Sequence, residues 1–129
     1  MTTDIIIGTD CAGNPLTVWH AFLRAARYDA GRRTCELPHA ELAVRSLSPG
    51  VGVRCKARWG DGRYRVTVYV VPIGDSTRLV LVGTVDLRSV PARAAALRYS
   101  RRLATRDLRE VAGATVAELG LAADLARSA

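Results

Sequence analysis

The stretch VGVRCKARWGDGRYRVTVYV, residues 51–70, decides the fold. Apolar residues alternate with polar, mostly basic residues on both sides of Gly60-Asp61-Gly62. Successive side chains of a strand point to opposite faces of a sheet, and a Gly-Asp-Gly sequence favours a tight turn. The stretch therefore predicts a β-hairpin with one apolar face and one basic face. Cys55 lies in the apolar set, so we expect it in the core.

A third strand is predicted over Arg78–Leu87, after a turn at Pro72–Ser76. Apolar residues occupy both of its alternating sets, because Leu79, Val80, Leu81 and Val82 follow one another. A strand that is apolar on both faces usually lies inside a sheet or has its second face covered. The middle of the chain, residues 51–88, is thus expected to be an antiparallel meander of three or more strands.

Before the hairpin, the sequence predicts a short strand at Asp4–Gly8 and a turn through Gly8–Pro15. Asn14 is the expected N-cap of a helix whose first residue is Pro15, and Gly31 marks its expected end. An apolar stripe at three- and four-residue steps supports this helix; it consists of Leu16, Trp19, Leu23, Ala26 and Ala30.

Residues 32–47 are compatible with two structures. Leu37, Ala40, Val44 and Leu47 have the spacing of a helix opened by Pro38, but a short strand fits the same residues. Alanine, glutamate, leucine and arginine dominate the segment, and their intrinsic propensities favour the helix.

A long helical segment is predicted over residues 89–129, opened by Ser89 and Pro91. At 100° per residue an apolar stripe runs from Leu97 to Ala126, and a line of arginines falls on nearly the opposite side. Gly113 and Gly120 predict breaks or a cap, so the segment could be two helices. The arginines are Arg98, Arg102, Arg106 and Arg109.

Together these elements predict the fold class α+β: an N-terminal helix, an antiparallel meander and a long C-terminal helical segment packed on the sheet. A length of 129 residues suits a single domain over residues 1–129. Its parts are residues 1–50 with the short strand, the helix and the ambiguous segment, then the meander 51–88, then the helices 89–129.

The net charge of +7 is concentrated in two places. Segment 88–109 has seven arginines and one acid, and hairpin residues 54–65 have five basic residues and one acid. All but one of the 19 basic residues are arginine, and the codon usage of a high-GC bacterium or its phage also accounts for this preference.

A hydrophobic fraction of 49% excludes a disordered chain. Three cysteines and no export signal predict reduced thiols in the cytoplasm, or in a particle for a phage protein.

These two clusters predict a non-catalytic protein whose basic surface binds nucleic acid, mostly through its backbone, or an acidic protein partner. The expected contact residues are the four arginines of the helix together with Arg54, Lys56, Arg58, Arg63 and Arg65 of the hairpin. We expect no metal, no cofactor and no membrane association.

Two alternatives come from other features of the chain. A self-assembling subunit of a phage or bacterial particle, or a homo-oligomer formed through the C-terminal helices, would use the apolar Val116, Leu121 and Leu125. A small enzyme would need His20 or His39 to meet a cysteine or an acid in a pocket.

Overall fold

In the part of the chain that the structure describes, six strands form one antiparallel sheet, and two helices pack against one of its faces. The computed structural model describes residues 4–86 and 94–128. In chain order the elements are β1 (Asp4–Ala12), α1 (Pro15–Ala25), β2 (Thr34–Glu36), β3 (Glu41–Ser48), β4 (Gly52–Trp59), β5 (Gly62–Ile73), β6 (Ser76–Val85) and α2 (Ala94–Ser128).

The strand order is β1-β6-β5-β4-β3-β2, so every neighbour from β2 to β6 is also a neighbour along the chain. Only β1 crosses over, to pair with β6 along its whole length. The predicted α+β class and meander are confirmed. Trp59 pairs with Gly62 across the predicted turn, and β6 lies inside the sheet, as its two apolar faces indicated.

Strands, and not a helix, occupy most of segment 32–47, so the helix that we favoured there is wrong. Pro38 lies in the turn between β2 and β3, where the Leu37 N–H donates to the Ala40 carbonyl. The cause is tertiary pairing, because β3 hydrogen-bonds to β4 and buries Leu42 and Val44 in the core. Such pairing overrides intrinsic helix propensity, which is a weak preference.

Helix α1 begins as predicted, since the Thr17 N–H donates to Asn14 Oδ1 over 2.9 Å. It ends at Ala25, before the expected end at Gly31. Arg27 adopts a φ of 51°, and the Tyr28 N–H donates to the Leu23 carbonyl. This is a Schellman C-cap with arginine at the position where glycine is usual, and a pattern search for glycine overlooks it.

Two other boundaries differ from the predictions. Strand β1 continues through the expected turn to Ala12, because β6 pairs with it up to Ser76. Helix α2 runs unbroken through Gly113 and Gly120, so the predicted breaks are wrong. Val111, Ala112 and Thr115, which flank Gly113, are buried, and this packing offsets the weak helix propensity of that glycine. The predicted opening of this segment at Ser89 and Pro91 lies outside the described residues.

The core lies between the sheet and the two helices. We call the sheet face that contacts the helices the inner face and the opposite one the outer face. Helix α2 crosses the inner face and contacts β1, β4, β5 and β6, and α1 packs beside it. The largest fully buried side chains are those of Trp19, Trp59, Phe22, Leu42, Leu79, Leu81 and Leu108.

Candidate functional site

The four arginines predicted to line one side of the last helix do so. Arg98, Arg102, Arg106 and Arg109 are all exposed on α2. Together with Arg101 and Thr105 they border an open groove of about 430 Å³. The only acid of segment 88–109, Asp107, is fully buried, so its carboxylate does not lie among these arginines.

The predicted hairpin residues lie on the outer face of the sheet. Their neighbours along β4 and β5 are buried against the helices, so these basic side chains point the other way. Four of the five line a groove of about 730 Å³, which we call the outer groove. It is bordered by Glu41, Arg45, Lys56, Ala57, Arg58, Arg63, Tyr64, Arg65, Thr84, Val85 and Asp86, and Arg54 is outside it.

The structure does not bring the two basic sets together. The helical arginines border one groove and four of the hairpin residues border another, and the two grooves share no lining residue.

A buried polar cluster, which the sequence did not reveal, joins α2 to the sheet. The Asp107 carboxylate accepts three hydrogen bonds, from Trp59 Nε1 at 2.8 Å, from the His39 backbone N–H at 2.8 Å and from His39 Nδ1 at 2.7 Å. A buried carboxylate needs such donors because transfer out of water is costly for a charge. Asp107 thereby fixes the β2–β3 turn to both β4 and α2.

A second polar pair lies nearer the start of the same helix. The Tyr64 hydroxyl and Ser100 Oγ are 2.9 Å apart, and Ser100 Oγ also donates to the Leu97 carbonyl. The rings of Trp59 and Tyr64 meet edge to face at 5.5 Å, which connects the two polar groups. Gly62 allows this contact, since a Cβ there would lie 2.8 Å from Ser100 Oγ.

A cavity of about 340 Å³ lies beside the β2–β3 turn, and we call it the loop pocket. It is bordered by the end of α1, the turn and the middle of α2. The turn is held in place by Asp107 and by the Glu36 N–H, which donates to the Ala26 carbonyl over 2.8 Å. The lining residues are Ala25, Arg27, Glu36, Leu37, Pro38, Glu110, Val111 and Ala114.

The loop pocket combines an apolar wall with three charged side chains. Arg27, Glu36 and Glu110 border it, and no ion pair joins Arg27 to either acid in the described part of the chain. Arg27 is also one of two described non-glycine residues with a positive φ. This left-handed backbone belongs to the C-cap of α1, which places Arg27 at the edge of the pocket.

A small enzyme would need His20 or His39 to meet a cysteine or an acid in a pocket, and the structure meets this requirement only in part. His39 meets the acid Asp107, but His39 borders none of the three cavities, and His20 is exposed on α1. The cysteines are poor nucleophiles, because burial raises the pKa of Cys35 to about 11 and that of Cys55 to about 12. Burial of Cys55 in the core confirms the prediction from the hairpin pattern.

One signal for Asp107 was present in the sequence. It lies three residues after Ala104 and four before Val111, and both are buried, so helical spacing places it on the inward side of α2. Nothing in the sequence paired it with His39, which is 68 residues away.

No protein-family profile and no curated protein sequence matches the chain. Solved structures do match. A START superfamily protein from Mycobacterium smegmatis has 15% identity and a TM-score of 0.60, with coverage of 92% of this chain and 97% of that one. The di-domain ARO/CYC StfQ from the steffimycin biosynthetic pathway has 12% identity and a TM-score of 0.62, with coverage of 94% and 51%. DynU16, a putative protein in the dynemicin biosynthetic locus, has 10% identity and a TM-score of 0.67, with coverage of 93% and 48%.

These likenesses overturn the function expected from charge. The three proteins named here are a START superfamily protein, a protein of the steffimycin biosynthetic pathway and a protein of the dynemicin biosynthetic locus, and none of their descriptions points to nucleic-acid binding or particle assembly. The expectation of a basic surface for nucleic acid or an acidic partner is therefore wrong, and so is that of an assembly subunit.

Two smaller expectations have different outcomes. Self-association through Val116, Leu121 and Leu125 stays a prediction; all three side chains are exposed. Neither described helix contains a stretch long and apolar enough to cross a bilayer. In its described residues, the chain has the α+β fold of the START superfamily protein, with a six-stranded antiparallel sheet packed around a long C-terminal helix.

Proposed function

We propose that this chain binds a small organic molecule with an apolar body and a polar edge in the loop pocket. The observation that carries the proposal is the construction of this pocket. One wall is a turn fixed by a fully buried carboxylate, and the other walls are two packed helices. A wall held in this way is already ordered before a ligand binds, and this lowers the free-energy cost of ordering the turn on binding.

The size of the pocket agrees with this class of ligand, and about half of its accessible lining is apolar. Small-molecule sites are commonly clefts of about 300–1,000 Å³ with mostly apolar walls and a few polar groups. The loop pocket, at about 340 Å³, lies at the small end of that range. Ala25, Leu37, Pro38, Val111 and Ala114 offer the apolar surface.

The three charged side chains would orient the ligand. Arg27 can donate to a carbonyl, hydroxyl or carboxylate oxygen, and Glu36 and Glu110 can accept from hydroxyl or amine groups. Because the lining has two acids and one base, a neutral or weakly cationic molecule suits it better than an anion.

The fold comparisons support the same conclusion. StfQ comes from the steffimycin biosynthetic pathway and DynU16 from the dynemicin biosynthetic locus, so the fold occurs among proteins connected with the biosynthesis of organic molecules. The chain covers about half of each of these proteins, so only binding, and no reaction, is proposed for it.

The test uses N-phenyl-1-naphthylamine, an uncharged probe that fluoresces strongly in apolar surroundings. We expect saturable binding of one probe per chain. Ala114→Trp should abolish it, because an indole at this position fills the pocket. The matched control is Ala117→Trp, which places the same side chain on an exposed position of the same helix, outside the pocket.

Thermal unfolding of both variants shows that they are folded. If the probe binds Ala114→Trp and Ala117→Trp equally well, the loop pocket is not the site and the proposal fails. Absence of saturable binding to the unmodified chain would contradict it as well.

A further inference from the structure

The outer groove, which the loop pocket does not involve, has a charge pattern that the fold alone does not explain. Five basic side chains border it against two acidic ones. Of the acids, Glu41 pairs with Arg32, which is outside the groove. None of the five basic side chains forms an ion pair in residues 4–86 and 94–128.

The strand register places like charges directly opposite each other. Lys56 is the cross-strand partner of Arg65, and Arg58 is the partner of Arg63. Like charges at directly opposite positions destabilise a sheet. The two repulsive pairs are two residues apart along the strands, so four cations stand at the corners of a rectangle of about 5 by 7 Å.

A β-bulge adds a fifth cation. Val44 pairs with Cys55 and Ser46 pairs with Arg54, which leaves Arg45 as the extra residue of β3. Bulges redirect a side chain and are frequent beside functional sites. Here the bulged residue borders the outer groove, next to the rectangle.

Protection of a sheet edge does not account for these charges. Proteins place lysines and other charges on edge strands to prevent unwanted pairing. In this sheet the edges are β1 and β2, whereas the four cations of the rectangle are on β4 and β5 in the interior.

We infer that the outer groove is a binding site for a compact polyanion with two or more phosphate or carboxylate groups about 5–7 Å apart. Such an ion would lie between the two repulsive pairs and convert each into an attractive contact. Arginine suits this function because its planar guanidinium donates two parallel hydrogen bonds to phosphate or carboxylate oxygens. Arg45 and the Thr84 hydroxyl can add donors from either side.

Calorimetric titration of the full chain at matched ionic strength tests the inference. The probes are tripolyphosphate and citrate, and sulfate serves as the compact ion with a single charged group. We expect one tripolyphosphate or citrate ion to bind per chain, at least about 10-fold more tightly than sulfate. The larger ions can accept charge-assisted hydrogen bonds at several charged groups, whereas sulfate accepts them at one. Which of the two binds better distinguishes an oligophosphate from a polycarboxylate ligand.

Single substitutions locate the site. Arg63→Gln and Arg65→Gln should each weaken binding about 10-fold. The matched control is Arg54→Gln, which removes the same charge from the same sheet face but lies outside the groove, opposite Thr67. It should change the affinity less than twofold. All three positions are exposed, so the variants should keep the fold, which circular dichroism verifies.

Two results would overturn the inference. If sulfate bound as tightly as both larger ions, the anions would form only a diffuse atmosphere around the basic face and would not occupy a site. An equal loss of affinity in Arg54→Gln and Arg65→Gln would show that the net charge of the face matters and the groove does not. Ala114→Trp should bind the polyanion normally, so failure here is distinguishable from failure of the loop pocket.

Discussion

At the scale of single residues, Asp107 connects three parts of the chain that are far apart in sequence. Its carboxylate accepts hydrogen bonds from the β2–β3 turn and from the indole of Trp59 on β4. Leu37 and Pro38 form one wall of the loop pocket, and the next residue along the chain, His39, donates its backbone N–H to Asp107. The integrity of the proposed site thus depends on a buried acid that does not border the pocket.

Replacing Asp107 by alanine should lower the free energy of unfolding by about 2–3 kcal/mol. The Trp59 indole N–H would lose its acceptor in the core, and an unsatisfied buried donor costs about 1–3 kcal/mol. The measurement is urea unfolding followed by circular dichroism. Asp124→Ala is the control, since this acid is exposed on the same helix and its ion pair with Arg127 should contribute less than about 0.5 kcal/mol. A loss below about 1 kcal/mol for Asp107→Ala would contradict the structural importance given to the cluster.

The thiols should react slowly while the chain is folded. Burial raises the pKa of all three thiols. The pKa of Cys35 rises to about 11 and that of Cys55 to about 12, and the pKa of Cys11 is raised as well. At pH 8 a thiol with a pKa of 11 is thiolate in about one molecule per thousand, and this fraction rises about tenfold per pH unit. Reaction with Ellman's reagent should therefore accelerate with rising pH, and all three cysteines should react at once in guanidinium. Rapid reaction of the native chain at pH 8 would refute the buried positions.

At the scale of elements, predictions succeeded where the sequence pattern is local and failed where distant pairing decides. The β4–β5 hairpin follows from alternation and a Gly-Asp-Gly turn, and both are visible in residues 51–70. The start of α1 follows from Asn14 and Pro15. Strand β3, by contrast, owes its form to pairing with β4, and β1 is extended by pairing with β6. Neither partner can be identified from the local residues.

The continuity of α2 leads to a prediction about its glycines. An added Cβ at Gly113 or at Gly120 would meet nothing within 4 Å. Gly113→Ala and Gly120→Ala should each raise the free energy of unfolding by about 0.5–1 kcal/mol, because alanine loses less backbone entropy in a helix. Chemical denaturation measures both values.

Gly52→Ala is the contrasting substitution, because the added Cβ would lie 2.5 Å from the Val68 carbonyl oxygen. This substitution should lower the free energy of unfolding. If Gly113→Ala had no stabilising effect, the unbroken helix would be in doubt.

At the scale of the whole molecule, the surface charge and the proposed ligand site are separate features. Charge was the strongest signal in the sequence and led to a wrong function, because surface charge does not identify the fold on which the structural likenesses rest. The loop pocket is formed by α1, the β2–β3 turn and α2, which are adjacent only after folding. Its lining includes ordinary residues such as Ala25 and Ala114, and their function could not be predicted without the fold.

The most direct test of small-molecule binding is an amide chemical-shift map of the ¹⁵N-labelled chain with N-phenyl-1-naphthylamine. The largest shifts should occur at Leu37, Val111 and Ala114, which border the loop pocket. The Trp59 indole resonance should also move, because its N–H shares Asp107 with the turn. Shifts confined to the outer face of the sheet, or none at saturating probe, would contradict the account.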